Sequence, residues 1–367
     1  MKFTFFPPKK KKIALFDAEG LKDARYILNK NDYEIIYCRK EKINIFILIK
    51  SILKKNFFFK KVDYFNEYIN EINPKLIITF NDNNELFYKV NKNKTYSIAV
   101  QNGTRSYHND ILSNFKFIKD KYKISKYFVF SEYYKKELSK FIDTDFSILG
   151  SPFNNNFKKK KIEFTNNALY LSTFSIINYE QSKKDKKKFY AYYQKEINFI
   201  KDINQELKKK NVKFSILGKY KNKTLKQIEK EFYKSSGIKF IENYEDRKTY
   251  DIASKYEILI GYSSSTLTYE MLAREKKVIV LNRDYNYYPV ETKKFGYFDC
   301  LPEEGVFWIN SGNKFKFINL FVKIKKLSKS DWKNILKKYE KFTCGFNYLN
   351  EKLRNHIKYV LTDSKFK

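Results

Sequence analysis

ILIGYSSSTLTYEMLAREKKVIVLNRD, residues 258–284, holds a complete strand, turn, helix and strand. Ile258, Leu259 and Ile260 are an apolar run short enough for a buried strand, and a small polar turn follows from Gly261 to Thr266. Residues 267–274 read as a helix and 277–281 as a second buried strand, which makes one βαβ unit. Ser263, Ser264, Ser265 and Thr266 are N-cap residue types, and the helix they open directs N–H groups and a positive dipole end past the strand. An anion fits there. Glu270, early in the helix, is placed to accept hydrogen bonds from a vicinal diol such as a ribose. Phosphate and ribose positions side by side are the layout of a nucleotide site. Any βα turn also needs a cap, so the same serines have a purely structural account.

The Ser-Ser-Thr turn, the early Glu and the Lys276-Lys277 pair before an apolar strand resemble the nucleotide-binding half of GT-B glycosyltransferases. More specifically, the chain resembles surface-carbohydrate (lipopolysaccharide or capsule) biosynthesis proteins of that fold. The resemblance implies an α/β architecture of two Rossmann-like doubly wound domains facing a cleft, with the last helix crossing back onto the first domain. The expected division is an acceptor-side domain over 1–155, a nucleotide-sugar domain over 156–340 and a returning helix over 341–367.

Length agrees with two domains, since 367 residues exceed a single ordinary core. Lysine and arginine number 75 against 41 acidic residues, a net charge of +34, which suggests nucleic acid or an anionic membrane surface as partner. Only seven of those cations are arginine, and Lys, Asn, Ile, Phe and Tyr are abundant, so codon drift toward AT is an equal explanation. Cys38, Cys300 and Cys344 are too widely spaced for a zinc site or a disulfide framework, and two histidines cannot build a His-rich metal centre. No metal and no cofactor beyond a nucleotide-sugar co-substrate is expected. No apolar run approaches the roughly 18 residues of a membrane span. Residues 43–53 (INIFILIKSIL) come nearest and read as a core or domain-surface helix. A cytoplasmic protein, peripheral on the inner face of the membrane, is the expectation.

Taken in order, strands are expected at 13–16, 33–37, 75–80, 96–100, 127–130 and 146–149, with helices at 21–28, 43–53 and 64–72. Ligands in such sheets bind beyond the carboxyl ends of the strands. Three loops lie on that edge: Asp17 to Gly20, Asn81 to Asn84, and Gln101 to Asp110. Gln101-Asn102-Gly103, followed by Arg105 and His108, resembles the Gln-His/Asn-Gly loop of the same family, though Asn-Gly is also a strong turn pair in its own right. An arginine in so lysine-rich a chain suggests that a bidentate guanidinium is wanted. Residues 154–161 (NNNFKKKK) read as a linker, and 179–188 as a solvated charged segment.

In the second half, strands are expected at 167–172, 212–217 and 239–241, a long amphipathic helix at 189–209, and helices at 315–327 and 331–361. The resemblance places Gly218 and Lys219 at the donor phosphates and Asn243 and Tyr244 at the base. The leading function is then a metal-independent glycosyltransferase that moves a sugar from a nucleotide-activated donor to a surface glycan or lipid-linked acceptor. His108, Asp110, Asp17 and Glu19 are the candidate bases, with Asn81, Gln101, Asn102, Gly103 and Arg105 on the acceptor side. A nucleotide-sugar epimerase or a polyol-phosphate transferase of the same fold is the second reading. A basic nucleic-acid-binding protein is the third, and it is disfavoured because the aromatics fall at core spacing and arginine is scarce.

Overall fold

The computed structural model describes residues 2–39, 41–55, 58–91, 95–105, 111–115, 118–160, 165–172, 174–185, 193–263, 265–281, 304–309 and 313–363. The chain divides into two compact units, residues 1–158 with 341–367, and residues 159–340. The first unit contains β1 (Lys2–Thr4), β2 (Ile13–Phe16), β3 (Tyr33–Ile36), β4 (Lys42–Asn44), β5 (Leu76–Thr79), β6 (Tyr96–Val100), β7 (Tyr122–Val129) and β8 (Ile142–Ile148). Six of these form one parallel sheet in the order β3-β2-β5-β6-β7-β8, while β1 and β4 pair separately. Every side chain of β2 and β5 is buried, as a parallel strand covered on both faces requires, and this is why both read as unbroken apolar runs.

The second unit repeats the plan with β9 (Asn167–Leu171), β10 (Lys213–Leu217), β11 (Lys239–Ile241), β12 (Ile258–Tyr262), β13 (Lys277–Leu281) and β14 (Trp308–Ile309). Their order is β11-β10-β9-β12-β13-β14, again parallel throughout. Both sheets are doubly wound. The chain reverses its direction of travel between β2 and β5 in the first unit and between β9 and β12 in the second, so each unit has one switch point where strand ends leave a crevice.

The last helix, Glu351–Thr362, belongs to the first unit: Leu353, Ile357 and Val360 join a core of Ile13, Leu15, Ile78, Ile98, Val100 and Phe128. The continuous helix expected over 331–361 is instead broken into Lys329–Lys338, two 3-10 turns and Glu351–Thr362. The break has a local cause. Gly150 pairs with Phe346, and a side chain at Gly150 would meet the Gly345 carbonyl oxygen at 1.9 Å; its φ of +81° also requires glycine. Leu349 and Asn350, both with positive φ, then turn the chain into the final helix.

Two further expectations change. The linker expected over 154–161 begins inside a helix, Pro152–Asn155, with Asn154 and Asn155 fully buried and Asn155 Nδ2 donating to Asn350 Oδ1 at 3.0 Å. The charged segment expected over 179–188 is exposed at Glu180, Lys183 and Lys184, but its first part belongs to the helix Ile176–Lys183, held by Tyr179 packing on Phe174 and Phe232; residues 186–188 lie outside the described residues. A helix not foreseen at all, Lys223–Lys234, follows β10, capped by the Asn222 side chain on the N–H groups of Thr224 and Leu225. Among the described residues no helix is long and apolar enough to cross a membrane.

Candidate functional site

At the first switch point, β2 ends in Asp17 and β5 runs out through Phe80 into Asn81 and Asp82. Asp17 is fully buried with φ 76° and ψ 118°, a conformation that costs a residue bearing a side chain about 1–3 kcal/mol and is kept only when its surroundings fix it. They do so here. Asn81 Nδ2 donates to Asp17 Oδ2 at 2.7 Å, Asn84 Nδ2 at 2.8 Å and Arg39 Nε at 3.3 Å, while the Glu19 N–H donates to Oδ1 at 3.1 Å. Glu19, with 54% of its side chain exposed, pairs with Arg39 at 2.9 Å.

Asp82 forms a second buried node twenty-three residues before Arg105. The Arg105 guanidinium takes it with both arms, Nε at 2.9 Å on Oδ2 and Nη2 on Oδ1. Tyr127 donates its hydroxyl to Oδ2 at 2.7 Å and the Asn102 N–H donates to Oδ1 at 3.1 Å. Burial, and then the neighbouring Asp82 charge, push the Tyr127 phenol well above its ordinary pKa, so it stays a neutral donor. Gln101 completes the loop, accepting from the Phe130 N–H at 2.8 Å and donating to the Gly103 carbonyl at 2.8 Å.

At the second switch point the organising carboxylate is Glu229, fully buried on the helix Lys223–Lys234. It accepts from the N–H of Lys219 at 2.9 and 3.0 Å, from that of Tyr220 at 3.1 Å, and from the Ser172 hydroxyl. One side chain thus ties the end of β9 to the loop after β10. A Cβ at Gly218 would meet the Phe240 ring at 2.5 Å and Glu229 Oε2 at 3.2 Å, so only glycine lets the loop lie this close. Burial raises the Glu229 pKa, opposed by the hydrogen bonds from Ser172, Lys219 and Tyr220. Desolvation lowers that of the Lys219 ammonium, opposed by Glu229, although the residue as a whole is exposed.

Beside them, β12 leads into the helix Thr266–Ala273, whose N-cap, Ser265, makes no side-chain cap hydrogen bond. Glu270 is buried on that helix and accepts from the Tyr250 hydroxyl at 2.9 Å; Arg274 lies 4.6 Å from the Tyr250 ring centre. Ser263 continues the β12 ladder by donating to the Leu281 carbonyl. Asn243 is buried and accepts from Thr249, whereas Tyr244 is 58% exposed with the Lys226 ammonium 3.9 Å over its ring.

The structure therefore gathers Asp17, Glu19 and Asn81 at one crevice, with Gln101, Asn102, Gly103 and Arg105 around Asp82 next to it. Gly218 and Lys219 come together in the second unit after β10, which β9 separates from β12, the strand that leads to Ser263, Ser265, Thr266 and Glu270. His108, Asp110 and Ser264 lie outside the described residues. Sequence reading held Asp82 and Asn84 only as members of the loop Asn81 to Asn84, without a role, and passed over Arg39, Tyr127, Glu229 and Tyr250. Asp82 had a signal, since β2 and β5 are each followed within three residues by an aspartate. So did Glu229, which stands at the apolar register of Leu225, Ile228 and Phe232, where a carboxylate is out of place unless bonded. Among the described residues no group of three or more His, Cys, Asp or Glu is placed to hold a metal ion.

A family model described as "putative O-antigen biosynthesis protein" matches residues 98–361. Both units have the GT-B type of parallel-sheet α/β fold found in several solved structures. One, from Listeria monocytogenes, is described as a "putative UDP-N-acetylglucosamine 2-epimerase"; it superposes with a TM-score of 0.54 at 12% identity, covering 96% of this chain and 97% of that one. The UDP-GlcNAc 2-epimerase of Neisseria meningitidis bound to UDP-GlcNAc gives 0.50 at 13% identity over 99% and 100%. S. aureus MnaA with UDP gives 0.50 at 13% over 96% and 97%. No curated protein matches the chain.

Proposed function

The chain belongs to the O-antigen biosynthesis family whose model spans residues 98–361, and from that membership we propose that it is a glycosyltransferase using a nucleotide-activated sugar. The observation that carries this reading is the Glu229 clamp, which fixes the Gly218 to Tyr220 loop beside β9 on the side of the sheet where β12 opens its helix. A diphosphate leaving group gains negative charge as the sugar departs. Lys219 and the first-turn N–H groups of Thr266–Ala273 stabilise that charge as preorganised donors, and Glu270 takes the ribose. The candidate bases for the acceptor hydroxyl are Glu19, and His108 and Asp110, which lie outside the described residues. Asp17 is a positioning residue, because all its bonding capacity goes to fixed donors.

The second reading is an epimerase acting on a UDP-sugar, favoured by the full-length likeness to UDP-GlcNAc 2-epimerases. Chemistry at a sugar carbon needs an acid and a base open to the sugar, and the buried carboxylates Asp17 and Asp82 are instead saturated by neighbours. One experiment separates the two. The full chain is incubated with UDP-, GDP-, CMP- and dTDP-sugars, with and without a lipid-linked glycan acceptor, and followed by NMR. Nucleotide release that depends on acceptor supports transfer. An inverted sugar carbon without acceptor makes it an epimerase, and no reaction or binding with any donor removes both readings.

A further inference from the structure

The first unit carries an apolar surface that no sugar chemistry explains. β1 pairs in register with β4, Phe3 opposite Ile43, and Asn44 Nδ2 donates to the Phe6 carbonyl at 2.9 Å, which ties the N-terminal strand to the helix Ile45–Lys55. That helix is amphipathic in the opposite sense to a surface helix. Lys50 and Lys54 reach the neighbouring helix Lys61–Ile72, Lys54 to Glu67 at 2.7 Å and Lys50 to Glu67 at 3.0 Å, with Ile47 and Ser51 buried. Its exposed apolar side chains are Ile49, Ile52 and Leu53, 53%, 43% and 73% exposed. On the adjoining strand segment Phe3, Phe5 and Phe6 are 50%, 68% and 82% exposed. Lys2, Lys9, Lys10, Lys12 and Lys60 flank these residues in sequence, and all are exposed.

We propose that this face is a membrane-docking surface, which seats its Phe and Leu side chains among the acyl chains of an anionic bilayer while the lysines meet the headgroups. The helix has 11 residues, too short to cross a bilayer but long enough to lie in its interface. Lysine decides between lipid and protein as the occupant: it is depleted in protein interfaces and enriched around interfacial apolar faces. β1 and the helix Ile45–Lys55 are in contact, and large apolar side chains exposed on both mark an interaction surface. The inference stands apart from the proposed sugar transfer and is tested without substrate.

The full chain is sedimented with vesicles of phosphatidylcholine alone and of an equimolar mixture with phosphatidylglycerol. Binding is expected to the anionic vesicles only, weakened by salt. Phe6→Ser with Leu53→Ser should cut the partition coefficient at least about ten-fold, and Lys9→Gln with Lys10→Gln about five-fold per lysine. All four side chains are exposed, so unchanged circular dichroism is expected and serves as the folding control. Equal binding to both vesicle types, or no loss in the Phe6 and Leu53 variant, overturns the proposal. So does a chain that is dimeric by light scattering, becomes monomeric in that variant and ignores vesicles, since the face would then be an interface between copies.

Discussion

Replacing Asp82 with Asn keeps the shape of the side chain and removes its charge, which isolates what the buried node contributes. Asp82 has no exposed surface, the Arg105 side chain has 5%, and the carboxylate accepts from both guanidinium arms, the Tyr127 hydroxyl and the Asn102 N–H. An amide offers one oxygen where the carboxylate offered two, so at least one of those donors faces an N–H₂ group and the guanidinium loses its counter-charge. Breaking a buried pair in this way costs about 3–5 kcal/mol. Arg105→Met, which removes the other partner, should cost a similar amount, while the double variant should cost well under the sum because no buried charge is stranded. Both tryptophans, Trp308 and Trp332, lie in the second unit, so their fluorescence is an internal control for an effect confined to the first. Hydrogen exchange at the Asn102 and Phe130 amides, which the node holds to Asp82 and Gln101, reads the loss directly. Additive single variants, or an Asp82→Asn protein within about 0.5 kcal/mol of the parent, would refute the reasoning and return Arg105 to the role of a ligand clamp.

Glu270→Gln should weaken binding of the free nucleotide by roughly 1.5–3 kcal/mol, one to two decades in Kd by calorimetry, through loss of a charge-assisted acceptor; equal affinities with an intact fold would remove Glu270 from the site and leave it a structural group bonded to Tyr250. Gly150→Ala should destabilise the first unit by about 3 kcal/mol or more, from the Gly345 contact and the positive φ together, read as a lowered thermal midpoint; a neutral outcome would mean that 345–346 does not sit on Gly150. His356 donates to or accepts from the Tyr96 hydroxyl at 2.9 Å, and burial, helped by Lys126 and opposed by Asp145, lowers its pKa. The unfolded chain therefore binds that proton more readily: the neutral ring's contribution is fully present above the unfolded value of about 6.5 and is lost as pH falls through the lower folded value. Protection of Glu351–Thr362 should fall over that range in the parent and hold steadier in His356→Gln.

What could be read in the sequence follows from how each group is buried. β2, β5, β12 and β13 stand out as apolar runs because parallel strands at the centre of a sheet are covered on both faces. β7 and β8 run several residues further than their apolar stretches, since their first residues carry Lys123, Asp143 and Asp145 toward the sheet margin, where polarity is tolerated. The helix Lys223–Lys234 was hidden by six lysines and glutamates spaced through an apolar face of only Leu225, Ile228, Phe232 and Tyr233. For the site, residue type announced a need but not its partner. A rare arginine signalled that a planar fork was wanted, yet the fork closes on Asp82, a contact between two loops that only the parallel pairing of β5 with β6 brings together.

The same limit applies to the acids. Asp17, Asp82 and Glu229 each stand at or beside a switch point, and each spends its oxygens on loop backbone, amides, hydroxyls or guanidinium arms. Glu19 and Lys219, a few residues from these anchors, are exposed residues. In the sequence all five are charged residues in turns or on helices. Burial separates them into groups that hold the loops and groups that those loops present, and in our proposal chemistry on the sugar nucleotide falls to the second kind. Stability should therefore respond to Asp17, Asp82 and Glu229, and turnover to Glu19 and Lys219, so a variant of Lys219 that lost stability while leaving turnover intact would contradict the division.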